Sequence, residues 1–140
     1  MHAHMKDDFK MIYTSYFGKF SALREMSGIA CVSIAGKTPE WFSGAKYKQL
    51  APKYDWWQEW HLMFAGKLNS PESIEWYTNK YYATVLRDFD PLKTAQDIKD
   101  LSRWNVPVLM CYEKPGDFCH RSIVRKWLND HRIECKEIEV

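Results

Sequence analysis

The chain has 140 residues, is 46% hydrophobic and 27% charged, and carries a formal net charge of +2. That length suits one domain with a substantial buried core, and the small net charge makes no electrostatic case for nucleic-acid binding on its own. No apolar stretch approaches the roughly 20 residues that span a bilayer, and the N-terminus lacks the basic-then-apolar pattern of a signal peptide, so no membrane partner and a cytoplasmic location are expected.

Residues 1–10 (MHAHMKDDFK) are polar and are read as a flexible or appended leader; they are set aside, with His2 and His4, from site reasoning. A first strand is predicted over 11–16 and a second over 29–34, the latter bounded by Gly28 and Gly36 and apolar enough to be covered on both faces. Residues 37–68 form a long, partly ordered excursion with one short helix near Trp56 to Phe64. Ser70-Pro71 reads as a cap followed by a first-turn proline, opening a helix with Ile74, Tyr77, Tyr81 and Val85 on one face. Asp90-Pro91 repeats that signal ahead of Leu92, Ala95, Ile98 and Leu101. A buried strand over 106–111, a helix from about Phe118 to His131 with Asp117 as its cap, and a last strand over 134–140 complete the pattern. Strands alternating with helices predict a single α/β domain over 11–140, with a mostly parallel sheet flanked by helices in Rossmann-like or flavodoxin-like layering. In such sheets ligands bind beyond the carboxyl ends of the strands. The segments after Ser15, Ser33 and Tyr112 should therefore emerge along one edge.

The most informative stretch is Cys111-Tyr112-Glu113-Lys114-Pro115-Gly116-Asp117-Phe118-Cys119-His120-Arg121. It places a thiol, an imidazole and a guanidinium at the start of a helix, where unpaired N–H groups and a partial positive charge favour an anion or a thiolate. Four cysteines spread through a chain without an export signal are read as free thiols in a reducing compartment, and no disulfide framework is expected. Cys31 and Cys135 lie in predicted strands and are read as inert.

The block from Leu109 to Arg121 resembles the signature of the family catalogued as domain of unknown function 488. Tyr13 to Phe17, Ser33-Ile34-Ala35, Tyr47 to Pro52, and Tyr77 through Asp90-Pro91 resemble its short phage and bacterial branch, so the similarity runs along nearly all of the chain from Met11. Ser33-Ile34-Ala35 stands where the larger branch carries an Asp-Val-Arg stretch, without those charges. The resemblance implies the α/β fold and brings no activity with it.

Several chemistries compete for the Cys-His-Arg turn. In the first, the helix end and Arg121 seat a phosphate-like anion, Arg121 through paired hydrogen bonds; against it stands Arg121 paired with Glu113 or Asp117 and Cys119 packed on the sheet. In the second, Cys119 is a nucleophile, although neighbouring residues in a helical turn point in different directions, so His120 need not touch it, and the phosphatase spacing of cysteine to arginine is missing. In the third, Cys111, Cys119 and His120, with Cys31, hold zinc, but the spacing does not match paired zinc knuckles. There is no G-x-G-x-x-G or P-loop pattern. The sequence reading therefore assigns no cofactor and no metal.

It expects a small anionic or nucleotide-like ligand, with possible chemistry at a glycosidic or phosphate bond. The catalytic candidates are His120, Glu113 and Cys119. The ligand-binding candidates are Arg121, Ser122, Cys111 and Lys114 at the turn, Ser15 and Tyr16 after the first strand, Ser33 and Lys37 after the second, and Trp41 and Tyr47 from the excursion. The alternative is a non-catalytic nucleic-acid or partner-binding module that stacks bases on Trp41, Tyr47, Trp56, Trp57 and Trp60 among Lys46, Lys48 and Lys53. A satellite core under the excursion is the competing explanation for those aromatic rings.

Overall fold

A computed structural model describes residues 11–140; the leader falls outside them. Five strands form one parallel sheet: β1 (Ile12–Tyr16), β2 (Ile29–Ser33), β3 (Ala45–Lys46), β4 (Val106–Cys111) and β5 (Cys135–Glu137), in the order β3-β2-β4-β1-β5. Five helices flank it: α1 (Phe20–Leu23), α2 (Tyr54–Met63), α3 (Pro71–Thr84), α4 (Pro91–Leu101) and α5 (His120–Asp130). This is the α/β layering expected. Among the described residues no helix is long and apolar enough to cross a membrane.

Side chains alternate across a strand, and the register sorts them cleanly. Ser15 and Ser33 both pair with Met110, while Tyr16 pairs with Cys111 and Thr14 with Glu137. One face carries Cys31, Val108 and Met110 into an apolar layer with Phe17, Phe20, Leu23 and Phe42. The other carries Ile12, Val32, Ile34, Leu109 and Cys111 against Tyr77, Tyr81, Ile123, Val124 and Trp127. The polar cluster described below lies on this second face.

Local chemistry sets the helix starts. The Ser70 hydroxyl accepts from the Ser73 amide and the Asp90 carboxylate from the Lys93 amide, each followed by proline in the first turn. Both match the cap-and-proline pattern. The α5 start departs from expectation: Cys119, not Asp117, is the N-cap, and no side chain caps the helix. Asp117 sits two residues too early and instead accepts from Asn69 Nδ2 at 3.1 Å, while Asn69 Oδ1 accepts from the Phe118 amide at 2.8 Å. Asn69 thereby pins the loop from a neighbouring turn. Gly116 has φ of +99°, which suits a residue without a side chain in this tight loop.

Two apolar positions are also reassigned. On α4 the buried stripe is Thr94, Ala95, Ile98 and Lys99, and Leu92 and Leu101 are exposed. This short helix lays one narrow stripe on the sheet, rotated from the four-residue pattern expected. β5 is confined to Cys135–Glu137, because only those residues pair with β1.

The excursion is more ordered than expected. It contributes β3, a single turn over Lys48–Leu50 and α2, and it drives Tyr47, Leu50, Trp56 and Trp60 into the core. Indole N–H groups that would be costly to bury alone are satisfied: Trp56 Nε1 donates to Thr84 Oγ1 at 2.8 Å, and Trp60 Nε1 to Ser73 Oγ at 2.7 Å.

Candidate functional site

The β4–α5 loop doubles back, so the strand-end Cys111 and the helix-cap Cys119 meet. Their sulfurs are joined in a disulfide, eight residues apart in sequence. This corrects the expectation of four free thiols. Cys31 and Cys135 are free and buried. Burial pushes the Cys31 thiol up to about 11 and the Cys135 thiol up to about 12, which matches the inert role expected of them.

His120 follows Cys119 and is itself buried. Its Nε2 lies 2.8 Å from the Ile34 carbonyl oxygen. A carbonyl only accepts, so Nε2 carries the proton and Nδ1 is left with a bare lone pair. That lone pair lies 3.8 Å from Cys119 Sγ. The two neighbours do touch, contrary to the expectation that they need not. Burial holds the imidazole down to about 4, with the Arg121 charge acting in the same direction, so it is neutral at pH 7. The Tyr81 ring flanks it at 5.7 Å, and Tyr81 is fixed by its hydroxyl, which donates to the Leu50 carbonyl.

Arg121 is 4% exposed. Its Nε and Nη2 donate to the two carboxylate oxygens of Glu137, each at 3.0 Å. Nη1 donates to Cys111 Sγ at 3.2 Å and to the Glu113 carbonyl. The Tyr16 ring lies 5.8 Å from the guanidinium carbon. Arg121 does pair with an acid, but that acid is Glu137 rather than Glu113 or Asp117. Glu137 also accepts from Thr14 Oγ1 at 2.6 Å and from Arg125 Nη1 at 3.4 Å. Four of the five guanidinium donors are thus directed at protein acceptors. The geometry casts Arg121 as an organiser of the sulfur pair, where the sequence suggests an anion clamp.

The remaining candidates divide by location. Ser122 Oγ donates to the Cys119 carbonyl at 2.8 Å, inside the first turn of α5. The Glu113 side chain and Lys114 are exposed on the loop above the cluster. Ser15 and Ser33 share the correct rows, but their parity turns them to the opposite face of the sheet. Ser33 Oγ is 2.8 Å from Thr38 Oγ1 and accepts from the Ala35 amide, which shapes the turn after β2. Lys37 joins the edge through its carbonyl, which accepts from the Tyr112 hydroxyl at 2.6 Å. Trp41 packs edge-on to Phe17 on that opposite face and is 60% exposed. Tyr47 is buried and donates to Asp97 at 3.2 Å; burial and that carboxylate push its hydroxyl up to about 12.

Of the aromatic group expected as a stacking wall, Trp56 and Trp60 are core. Trp60, Tyr77 and Phe118 form an edge-to-face triangle with centroids 4.8 to 6.1 Å apart, which seats Phe118 directly before Cys119. A shallow groove of about 430 Å³ lined by Phe64, Glu72, Trp76 and Asn79 contains none of the cluster residues.

Cys111 Sγ, Cys119 Sγ and a His120 ring nitrogen lie within 4.8 Å of one another, so they are also the donor atoms nearest to a metal-binding set among the described residues. Sequence reasoning missed Ile34, Thr14, Arg125 and Glu137. The Ile34 contribution is a backbone carbonyl and leaves no side-chain signature. Glu137 did leave one: alternation from Cys135 turns it toward the core-facing side of β5, where an acid needs a partner.

No curated protein and no solved structure matches the chain. A family model described as the active DUF488-N3 subclade matches residues 29–132, which include β2, β4, the loop and all of α5. The chain therefore belongs to the DUF488-N3a family, on a match that covers Ile34 and the cysteine, histidine and arginine of the site but not Glu137.

Proposed function

We propose that this domain is a cysteine-dependent hydrolase or transferase, acting at a glycosidic or phosphate bond of a small phosphorylated or nucleotide-like ligand. The observation that carries the reading is the line Ile34 carbonyl, His120, Cys119: an orienting acceptor, a base with its lone pair fixed, and a sulfur in its path. That is the nucleophile–base–orienter arrangement of thiol enzymes. The family description as an active subclade agrees with it. The working form is the reduced one, as in a reducing compartment such as the cytoplasm.

In that form the neutral His120 Nδ1 takes the Cys119 proton as the sulfur attacks the electrophilic carbon or phosphorus. A bond to sulfur forms, and the bond to the leaving group breaks. The proton His120 has taken passes to the leaving group, and Glu113, exposed on the loop with its backbone held by Arg121, takes the proton of the incoming water or hydroxyl and returns it to Cys119. Water, or an acceptor hydroxyl, releases the ligand from Cys119. The uncapped N-terminus of α5 favours the anionic part of the ligand, and Lys114 adds a positive charge to the same loop.

The test uses reduced protein, a panel of nucleoside phosphates and dinucleotides, and mass spectrometry of the products. Release of base or phosphate that disappears in Cys119→Ser supports the reading. No release with any member of the panel, or equal release by Cys119→Ser, overturns it.

A further inference from the structure

We propose that Cys111 and Cys119 are a reversible dithiol–disulfide couple that accepts two electrons from a dithiol partner, with Cys119 the attacked sulfur and Cys111 the leaving one. The couple uses the same sulfurs as the reading above and stands whether or not a nucleotide-like ligand is turned over.

The asymmetry is built into the surroundings. Cys119 is the more exposed of the two, at 8% against 1%. The guanidinium held on Cys111 Sγ makes that sulfur the better leaving group, so attack is directed to Cys119 Sγ. Attack there forms a mixed disulfide on Cys119 and releases Cys111 as a thiolate. Arg121 Nη1 already donates to that sulfur at 3.2 Å. The guanidinium is held in place by both oxygens of Glu137, and Glu137 in turn by Thr14 and Arg125. A cation fixed on the leaving sulfur speeds its departure and stabilises the reduced state.

The partner's second thiolate then attacks its own sulfur in the mixed disulfide. The partner leaves as a disulfide, and Cys119 is freed as a thiolate beside the Nδ1 of His120. Two electrons pass from the partner dithiol to the pair, and the two protons the partner gives up on forming its thiolates are taken up through solvent by Cys111 and Cys119. Cys31 and Cys135 stay out of the exchange, because both are buried and their thiols are pushed far above neutral pH.

Glu137 is thereby a positioning residue, and it comes from outside the span matched by the family model. The experiment equilibrates the full chain in mixtures of reduced and oxidised dithiothreitol, and separately of glutathione, then traps thiols with a maleimide and counts them by mass. The wild type should show a single transition of two thiols on Cys111 and Cys119. Glu137→Gln should shift the equilibrium about tenfold toward the disulfide, about 30 mV for a two-electron couple, with Glu137→Asp recovering part of the shift. A pair that stays reduced in oxidised glutathione overturns the proposal. So does a midpoint unmoved in both Glu137→Gln and Arg121→Lys. A couple that titrates as described while no nucleotide is turned over supports this proposal and removes only the preceding one.

Discussion

Two pairs of cysteines lie in or against this sheet and share one covalent chemistry, yet their surroundings differ. Cys31 and Cys135 point into apolar layers; desolvation pushes both thiols far up, and at Cys135 it outweighs the opposing charge of Arg125. Cys111 and Cys119 are buried to a similar degree, but a guanidinium donates to the first and an imidazole nitrogen faces the second. Burial by itself disables a thiol; burial beside a fixed charge and a fixed base prepares one.

The sharpest way to break the comparison is labelling. In reduced native protein at pH 7, iodoacetamide should modify Cys119 at least about 100-fold faster than Cys31 or Cys135, since the thiolate fraction falls tenfold per pKa unit. Peptide mapping at early times reads the ratio, and comparable rates at all the sites would erase the distinction.

Removing the charge comes next. Arg121→Met leaves Glu137 with Thr14 and Arg125 only, and it strips the Glu113 carbonyl and Cys111 of their donor. Breaking a buried ion pair from one side costs about 3 kcal/mol, to be read as a lower urea midpoint with an unchanged slope. A loss below about 0.5 kcal/mol, the level of a surface substitution, would deny Arg121 its organising role.

His120 supplies a pH dependence of known sign. Its folded value of about 4 lies below the ordinary 6.5, so the unfolded chain binds the extra proton first. Stability is therefore full above about pH 6.5 and falls as pH drops through the window from 6.5 to 4, by up to about 3 kcal/mol from this residue. Urea titrations across that window should show a slope that flattens in His120→Gln. An equal slope in the variant would place the titration elsewhere.

The smallest effect marks the background. Lys93–Asp97 and Lys126–Asp130 are exposed pairs one helical turn apart, at 2.6 and 2.9 Å. Replacing either lysine with alanine should leave the urea midpoint where it stands, since an exposed pair in water is worth almost nothing. A cost like that of Arg121→Met would show that charge pairing here is not graded by burial.

The sequence exposes those parts of the fold that depend on local rules. The strands over 12–16, 29–33 and 106–111 are legible as apolar runs between turn residues, and α3 and α4 announce themselves through Ser70-Pro71 and Asp90-Pro91. β3 is two residues long and carries no pattern of its own. The start of α5 was misplaced because Asp117 is a good cap by type, while Asn69, distant in sequence, decides its actual partner.

The site divides along the same line. Cys119, His120 and Arg121 are adjacent, so their cluster could be read directly. The bonds that assign their roles reach the Ile34 carbonyl, Cys111 and Glu137, and those are products of tertiary packing. Ser15 and Ser33 show the converse: the rows were foreseeable from parallel strands, but which face each serine takes required the register.

The central claim is that His120 draws the proton from Cys119. The most direct measurement is the alkylation rate of Cys119 against pH in reduced protein, for the wild type and His120→Gln. The account predicts faster alkylation of Cys119 in the wild type than in His120→Gln from about pH 6 to 9, because the unprotonated Nδ1 takes the proton as the sulfur attacks. Equal rates in the two proteins across that range would contradict it.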